Sequence, residues 1–282
     1  MMSVFEKAKF ILTPNGYKAG KLYALKPENG DLDVTWVRNG NATRVNQNGL
    51  IESVGNNVPR LDYLNGSCPS ILVEEQETNV RPFSDDFTDY QLELVTIEET
   101  LLPSPILGKN AWLINFEPDI ISQFRFRDPN NAGIYTDIGD LVSFYARVDG
   151  MPLQMAITWG PGGTQKNITI TNEWKRFSNI KTIDSGTNPQ LRNINAFPVE
   201  VYIQGVNYVK GKTSESQLSS YIPTESTAVT RPSDAPQPIT VPSGTTEIVE
   251  ALEDGTFNTI TTIPTTYTIP FGRFKYILFN GN

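Results

Sequence analysis

The residues able to do chemistry are few and unevenly spread. Among 282 residues there is no histidine and a single cysteine, Cys68. Zinc held by His and Cys, Ser-His-Asp and Cys-His nucleophiles, and an intrachain disulfide are therefore beyond this chain's means. Carboxylates remain. Glu74-Glu75 with Glu77, and Glu98-Glu99, are the candidates for glycosidase acids. That chemistry needs two carboxyls facing each other across a cleft with unequal pKa values. Adjacent glutamates in a strand point to opposite faces, so neither doublet is a natural pair, and no enzyme is expected. Asp85, Asp86 and Asp89 flank Phe87. Calcium takes roughly six to eight oxygens, so the three are either ligands of a structural calcium ion or ordinary caps and solvated turns. Their spacing fits no EF-hand loop, and no other cofactor is expected. Trp159 stands just before Pro161-Gly162-Gly163, and Tyr135 closes Asn131-Ala132-Gly133-Ile134-Tyr135. Either Trp159 offers its ring to the C–H face of a sugar, with Tyr135 assisting, or it continues the buried side of its own strand. Arg44, Arg60 and Arg81 lie in one segment with Asp62 and Asp85. They lock irregular loops, join subunits through ion pairs, or stand unpaired at the surface. Cys68 reads as a small buried residue.

These side chains must be held by strands. Val142, Phe144, Ala146 and Val148 fall on alternate positions, then Met151, Leu153, Met155, Ile157 and Trp159, then Ile168 and Ile170. A period of two puts side chains on opposite faces of a pleated sheet. Asp149-Gly150 and Pro161-Gly162-Gly163 supply the turns. The same alternation is read at Leu92 and Leu94, at Trp112, Ile114 and Phe116, at Phe124 and Phe126, and at Val199, Val201 and Ile203. About eight strands at such spacings predict an all-β chain whose centre is an antiparallel jelly-roll β-sandwich. Only 38% of residues are hydrophobic and 19% charged, the balance being turn-forming and wet-strand types. Such a composition disfavours helices. A net charge of -8 without a basic cluster argues against nucleic acid. No apolar run is long enough to span a bilayer. The start of the chain has no basic-then-apolar signal pattern.

Four regions are expected. Residues 1–80 form an irregular N-terminal segment, rich in Gly, Asn and Pro, with short strands near 21–25, 33–37 and 70–74. Residues 81–232 form the sandwich. Residues 233–244, with Pro236, Pro238 and Pro242, read as a Pro-rich linker. Residues 245–282 form a small C-terminal β module. Its last strand, Phe274 to Phe279, is apolar on both faces, which suggests packing on another chain or domain.

Several motifs in this order resemble a known group. They are Ala42-Thr43-Arg44-Val45-Asn46, Gly49-Leu50-Ile51-Glu52, Asn57-Val58-Pro59-Arg60-Leu61-Asp62-Tyr63, Cys68-Pro69-Ser70 and Glu77-Thr78-Asn79. Ser84-Asp85-Asp86-Phe87 follows, and Tyr221-Ile222-Pro223-Thr224 through Thr230-Arg231 closes the set. Together they resemble the signature of tailed-bacteriophage appendage proteins (tail fibre, head fibre and decoration proteins), many from phages of gut Bacteroidetes. The resemblance spans roughly residues 17–234 and implies a jelly roll similar to carbohydrate-binding modules. It also implies a place on the virion and contacts with other virion proteins. The expected function is structural, in a head or tail fibre that adheres through repeated copies, possible host-surface glycans among its targets. A homo-oligomer is expected, with a trimer favoured. The inter-subunit or docking residues would be Arg44, Arg60, Asp62, Tyr63, Phe274, Tyr276 and Leu278. The alternatives are an accessory sugar-binding module of a carbohydrate-active enzyme, and a capsid-cementing protein without glycan affinity.

Overall fold

The structure, a computed structural model, describes residues 4–118, 122–126, 137–160, 162–186 and 188–281. The chain forms two compact units: Glu77–Thr230, and a second made of Met1–Gln76 together with Arg231–Asn282.

The first unit is an antiparallel jelly-roll sandwich. Its strands are β1 (Gln91–Glu93), β2 (Val95–Pro103), β3 (Asn110–Phe116), β4 (Gln123–Arg125) and β5 (Leu141–Arg147). They continue with β6 (Leu153–Thr158), β7 (Gln165–Ile170), β8 (Lys175–Ile180), β9 (Gln190–Asn193) and β10 (Val199–Val209). One sheet runs β1-β4-β9-β6-β7 and the other β2-β3-β10-β5-β8. The expected alternation sets their inner faces. Ile114, Phe124, Phe126, Phe144, Met155, Ile157 and Val201 lose all solvent contact in one shared core. Full burial of each such side chain stabilises by roughly 1.5–3 kcal/mol before entropy is charged. The rings stack in a chain: Phe124 meets Phe126 edge-on at 5.4 Å, and Phe126 lies on Phe144 at 4.7 Å. The alternation misleads at its margins. Leu92, Leu94 and Met151 fall beyond the inter-sheet layer and remain exposed.

A bulge lets a covering segment approach. The β5–β10 register shifts between Ser143 and Tyr145, opposite Gly205 at φ +67°. A Cβ on Gly205 would come within 2.9 Å of Ile106 and 3.2 Å of Tyr145, so glycine serves both the bulge and the close packing. Tyr221 closes over this point. Its hydroxyl lies 2.6 Å from Ser84 Oγ and bonds the Asp85 carboxylate.

The second unit differs from the expected partition. The Gly272–Gly281 strand pairs along one side with Thr245–Leu252. Its other side takes Ser70–Val73 and Ala8–Leu12. Residues from both ends of the chain therefore share one sheet and one core, with Phe10, Leu12, Ile71, Ile248, Phe274, Ile277 and Phe279 inside. Neither 1–80 nor 245–282 stands as a module of its own. The stretch read as a linker carries strands: Ala235–Pro236 pairs with Trp36–Val37, and Ile239–Thr240 with Thr266–Tyr267. Phe274 and Leu278 are buried because their strand is central, which accounts for its two apolar faces without another chain. Cys68 is exposed, not buried.

Buried charge holds this unit together. Asp234 is 2% exposed and accepts from Arg38 Nη1 at 2.6 Å and Trp36 Nε1 at 3.2 Å through one oxygen. Its other oxygen accepts from Arg60 and from the Glu74 amide at 3.0 Å. Arg60 also pairs with Glu74 at 2.7 Å and donates to Thr43 O. Asp62 is buried beside Arg273 and caps the Val45 amide at 2.7 Å. Arg60, Asp62, Phe274 and Leu278, expected as docking residues, are thus spent inside the unit. The reason is the cost of burying a charge, which requires partners at close range. Arg44 pairs with Glu52 at 2.8 Å and stays partly open, as do Tyr63 and Tyr276.

Removing one partner of a buried charge cluster strands the rest. Asp234→Ala is expected to destabilise this unit by about 3–5 kcal/mol, read as a lowered urea midpoint by circular dichroism. A midpoint unchanged from the parent would show that the cluster contributes little.

Candidate functional site

The expected ring platform is not at the surface. Trp159 is 0% exposed and packs edge-on against Tyr208 at 5.9 Å. Two glycine turns enclose its backbone. A Cβ on Gly163 would sit 2.9 Å from the Trp159 Cβ, and one on Gly186 would collide with the Trp159 carbonyl. No sugar reaches this ring, so the buried reading of Trp159 holds and the sugar-stacking one is corrected. Tyr135 lies outside the described residues.

The three aspartates do not converge. Asp85 takes the Tyr221 hydroxyl and lies 3.7 Å from Lys109 Nζ. Burial pushes its carboxyl up, opposed by the Tyr221 bond and the Lys109 charge. Asp86 caps Thr88, accepting its amide at 3.0 Å and its hydroxyl at 2.7 Å. Asp89 is exposed. Among the described residues no three His, Cys, Asp or Glu side chains gather as a metal set. The glutamate doublets are likewise dispersed. Glu74 belongs to the Asp234 cluster, Glu77 pairs with Lys212, and Glu98 and Glu99 sit at successive exposed positions of β2.

A candidate site of the sandwich lies at one end, where several connections cross between the sheets, among them those from β3, from β5 to β6 and from β9 to β10. Between them opens a groove of about 410 Å³. Asp149-Gly150 turns the β5–β6 connection, with Gly150 at φ +84°, and thrusts Met151 into solvent at 86% exposure. The β9–β10 connection presents Phe197, 55% exposed. Tyr202, on the outer face of β10, supplies a second ring. Asn115, Glu117, Asp149 and Glu200 add polar groups to the same walls.

These side chains are held in place. Asn193 is fully buried and its amide donates to the carbonyls of Glu117 and Phe197, both at 3.0 Å. One side chain thus ties two of the crossing connections. Asn195 donates to Gln154 O at 2.8 Å and to Asn193 Oδ1 at 2.9 Å. On the opposite wall, Asp149 receives Arg147 Nη2 at 2.5 Å and the Tyr202 hydroxyl at 3.2 Å. The Arg147 guanidinium lies 5.9 Å from the Tyr202 ring centre. Burial pushes the Tyr202 phenol up, reinforced by its bond to Asp149 and by the charges of Asp149 and Glu200. An open groove with apolar rings and fixed hydrogen-bonding groups fits a small polar ligand that has an apolar face. Alternation could not reveal it: Phe197 and Met151 are on connections, and Tyr202 is one outward residue among many.

The outer face of β1-β4-β9-β6-β7 carries polar side chains, of which Thr158 and Gln190 are almost wholly buried. Its polar side chains bond one another: Gln123 with Glu93, Gln190 with Thr158 at 2.9 Å, and Arg192 with Gln165 at 3.0 Å. Groups already paired have less to offer a ligand, whereas in the groove Glu117 and Glu200 make no ion pair among the described residues.

No protein-family model and no curated protein matches the chain. Solved carbohydrate-binding modules are similar to it in fold. A mutant of a family 29 module is 12% identical, covering 53% of this chain and 100% of that one, with a TM-score of 0.36. The CBM22-1 xylan-binding domain from Paenibacillus barcinonensis Xyn10C is 10% identical over 50% of this chain and 97% of its own, with a TM-score of 0.32. A family 11 module from Clostridium thermocellum, in complex with a mixed-linked tetrasaccharide, is 12% identical over 49% and 96%, with a TM-score of 0.32. At such identities the likeness concerns fold alone.

Truncating a buried tryptophan leaves a void that the core cannot fill. Trp159→Ala is expected to cost about 3–5 kcal/mol, seen as a lower melting temperature. A variant as stable as the parent would return Trp159 to the list of surface rings.

Proposed function

We propose that this chain is a non-catalytic binding protein whose sandwich takes a carbohydrate in the groove between its sheet crossings. The observation that carries the reading is the exposed Phe197, beside Tyr202 and Met151 and ringed by Asn115, Asp149 and Glu200. A pyranose has an apolar C–H face for such a ring and hydroxyls for such carboxylates and amides. Asn193 and Asp149 hold the walls before any ligand arrives, which lowers the ordering cost of binding. Nothing in this mode of recognition requires a reacting side chain.

The setting we propose is the one implied by the sequence resemblance: a virion appendage, in which repeated copies turn a weak single-site contact into firm adhesion. What supports it is the ordered set of motifs from Ala42 to Arg231. An accessory module of a carbohydrate-active enzyme would use the groove in the same way, so the site reading stands apart from the setting. Labelled antibody against the chain, decorating assembled particles, supports the virion setting. Release of reducing ends from a polysaccharide by the purified chain contradicts the non-catalytic reading and favours the enzyme.

Binding of the full chain to a glycan array tests the site. The expected result is at least one class of bound glycan, with affinity falling about tenfold in Phe197→Ala, as the loss of a buried ring contact implies. The circular dichroism spectrum should stay unchanged, since Phe197 is a surface residue. An array without binding, or equal affinity in the variant, removes the proposal.

A further inference from the structure

Resting on the groove reading above, we infer that the groove selects a positively charged sugar, an amino sugar such as glucosamine, over neutral and acidic ones. The walls carry three carboxylates, Glu117, Asp149 and Glu200. Arg147, a nearby cation, is already held by Asp149 at 2.5 Å. Glu117 and Glu200 are both exposed and make no ion pair among the described residues. They stand on the strand ends that flank the rings: Glu117 follows β3, and Glu200 is paired in register with Asn115. The lining of the groove therefore carries two carboxylates without an ion-pair partner among the described residues.

The rings suit the same charge. The Arg147 guanidinium over Tyr202 shows that this ring already faces a cation. Phe197 is exposed and has no such partner among the described residues. An ammonium placed near it would gain from the ring's negative face and from the flanking carboxylates. Met151 adds a polarisable, adaptable contact. A uronic acid would instead set its carboxylate among like charges. The charge of the whole chain, -8, acts in the same direction on approach.

The test is calorimetric titration of the full chain with three oligosaccharides: glucosamine, N-acetylglucosamine and galacturonic acid oligomers of equal length. It is run at a pH where the glucosamine amine is protonated, at low and at high salt. The expected order is glucosamine tightest, by about fivefold to tenfold over the acetylated oligomer, as one or two solvated charge contacts would give. That advantage should shrink at high salt. The double variant Glu117→Gln, Glu200→Gln should bring the two oligomers to equal affinity. If parent protein binds the acetylated oligomer as well as glucosamine, and Phe197→Ala weakens both, the charge selection is overturned while the groove reading stands. If none of the three oligosaccharides binds while the array still shows a glycan whose binding Phe197→Ala weakens, the charge selection alone is overturned; if Phe197→Ala binds as tightly as parent, both are overturned. Binding of an oligolysine peptide but no sugar would also overturn both and assign the groove to a basic protein segment.

Discussion

Two sheets that bury their apolar faces against each other must be joined by connections that cross the layer between them. That constraint shapes everything useful in the sandwich. The interior is a continuous stack of rings, from Phe124 through Phe126 to Phe144, and it tolerates no ligand. Variation is left to the ends, where the chain leaves one sheet and enters the other. The Asp149-Gly150 turn, the Phe197 connection and the end of β3 lie together because each is such a crossing. Their geometry is fixed by Asn193, whose single buried amide satisfies the carbonyls of two of them. A groove on this plan is rigid by construction, since moving either wall would leave a buried polar group without its partner.

The other unit rests on a different device. Its elements are short, several of only two or three residues, and cannot be stable on their own propensity. Asp234 compensates by taking donors from three separate stretches, around Trp36, Arg60 and Glu74. The buried arginines find carboxylates and carbonyls, as Arg38 does with Gly40 O and Gly55 O. Such charge clusters are poor sources of stability compared with an apolar core, yet they discriminate sharply between one arrangement and another. Residues that stand out in the sequence as Arg and Asp motifs are, in this unit, instruments of internal order.

The strands of the sandwich were legible because their signal is local. Val142, Phe144 and Ala146 alternate, and all three are buried. The groove was not legible, for two reasons. Phe197 and Met151 belong to connections, where no periodicity reports exposure. Trp159 carried a sugar-binding look through its place beside a glycine-rich turn. Those same glycines, 163 and 186, are what allow the chain to close over it. The partition of the chain was hidden by sequence distance. Proline at 236 and 238 suggested a spacer, whereas Asp234 just before them is among the most enclosed charges in the molecule. Pairing between Ala8–Leu12 and Ile277–Asn280 leaves no trace in either stretch alone.

That last pairing has a consequence for how the polypeptide matures. The strand that Ala8–Leu12 requires is synthesised only after the whole sandwich, so the early segment must wait unpaired while the intervening sandwich becomes available to fold first. The waiting segment is largely apolar, and its closure spans the entire sandwich, the slowest kind of contact to make. Once closed, the ladder becomes a clasp. A protease that nicks an exposed turn of the sandwich would leave two fragments still joined by the backbone hydrogen bonds of the other unit.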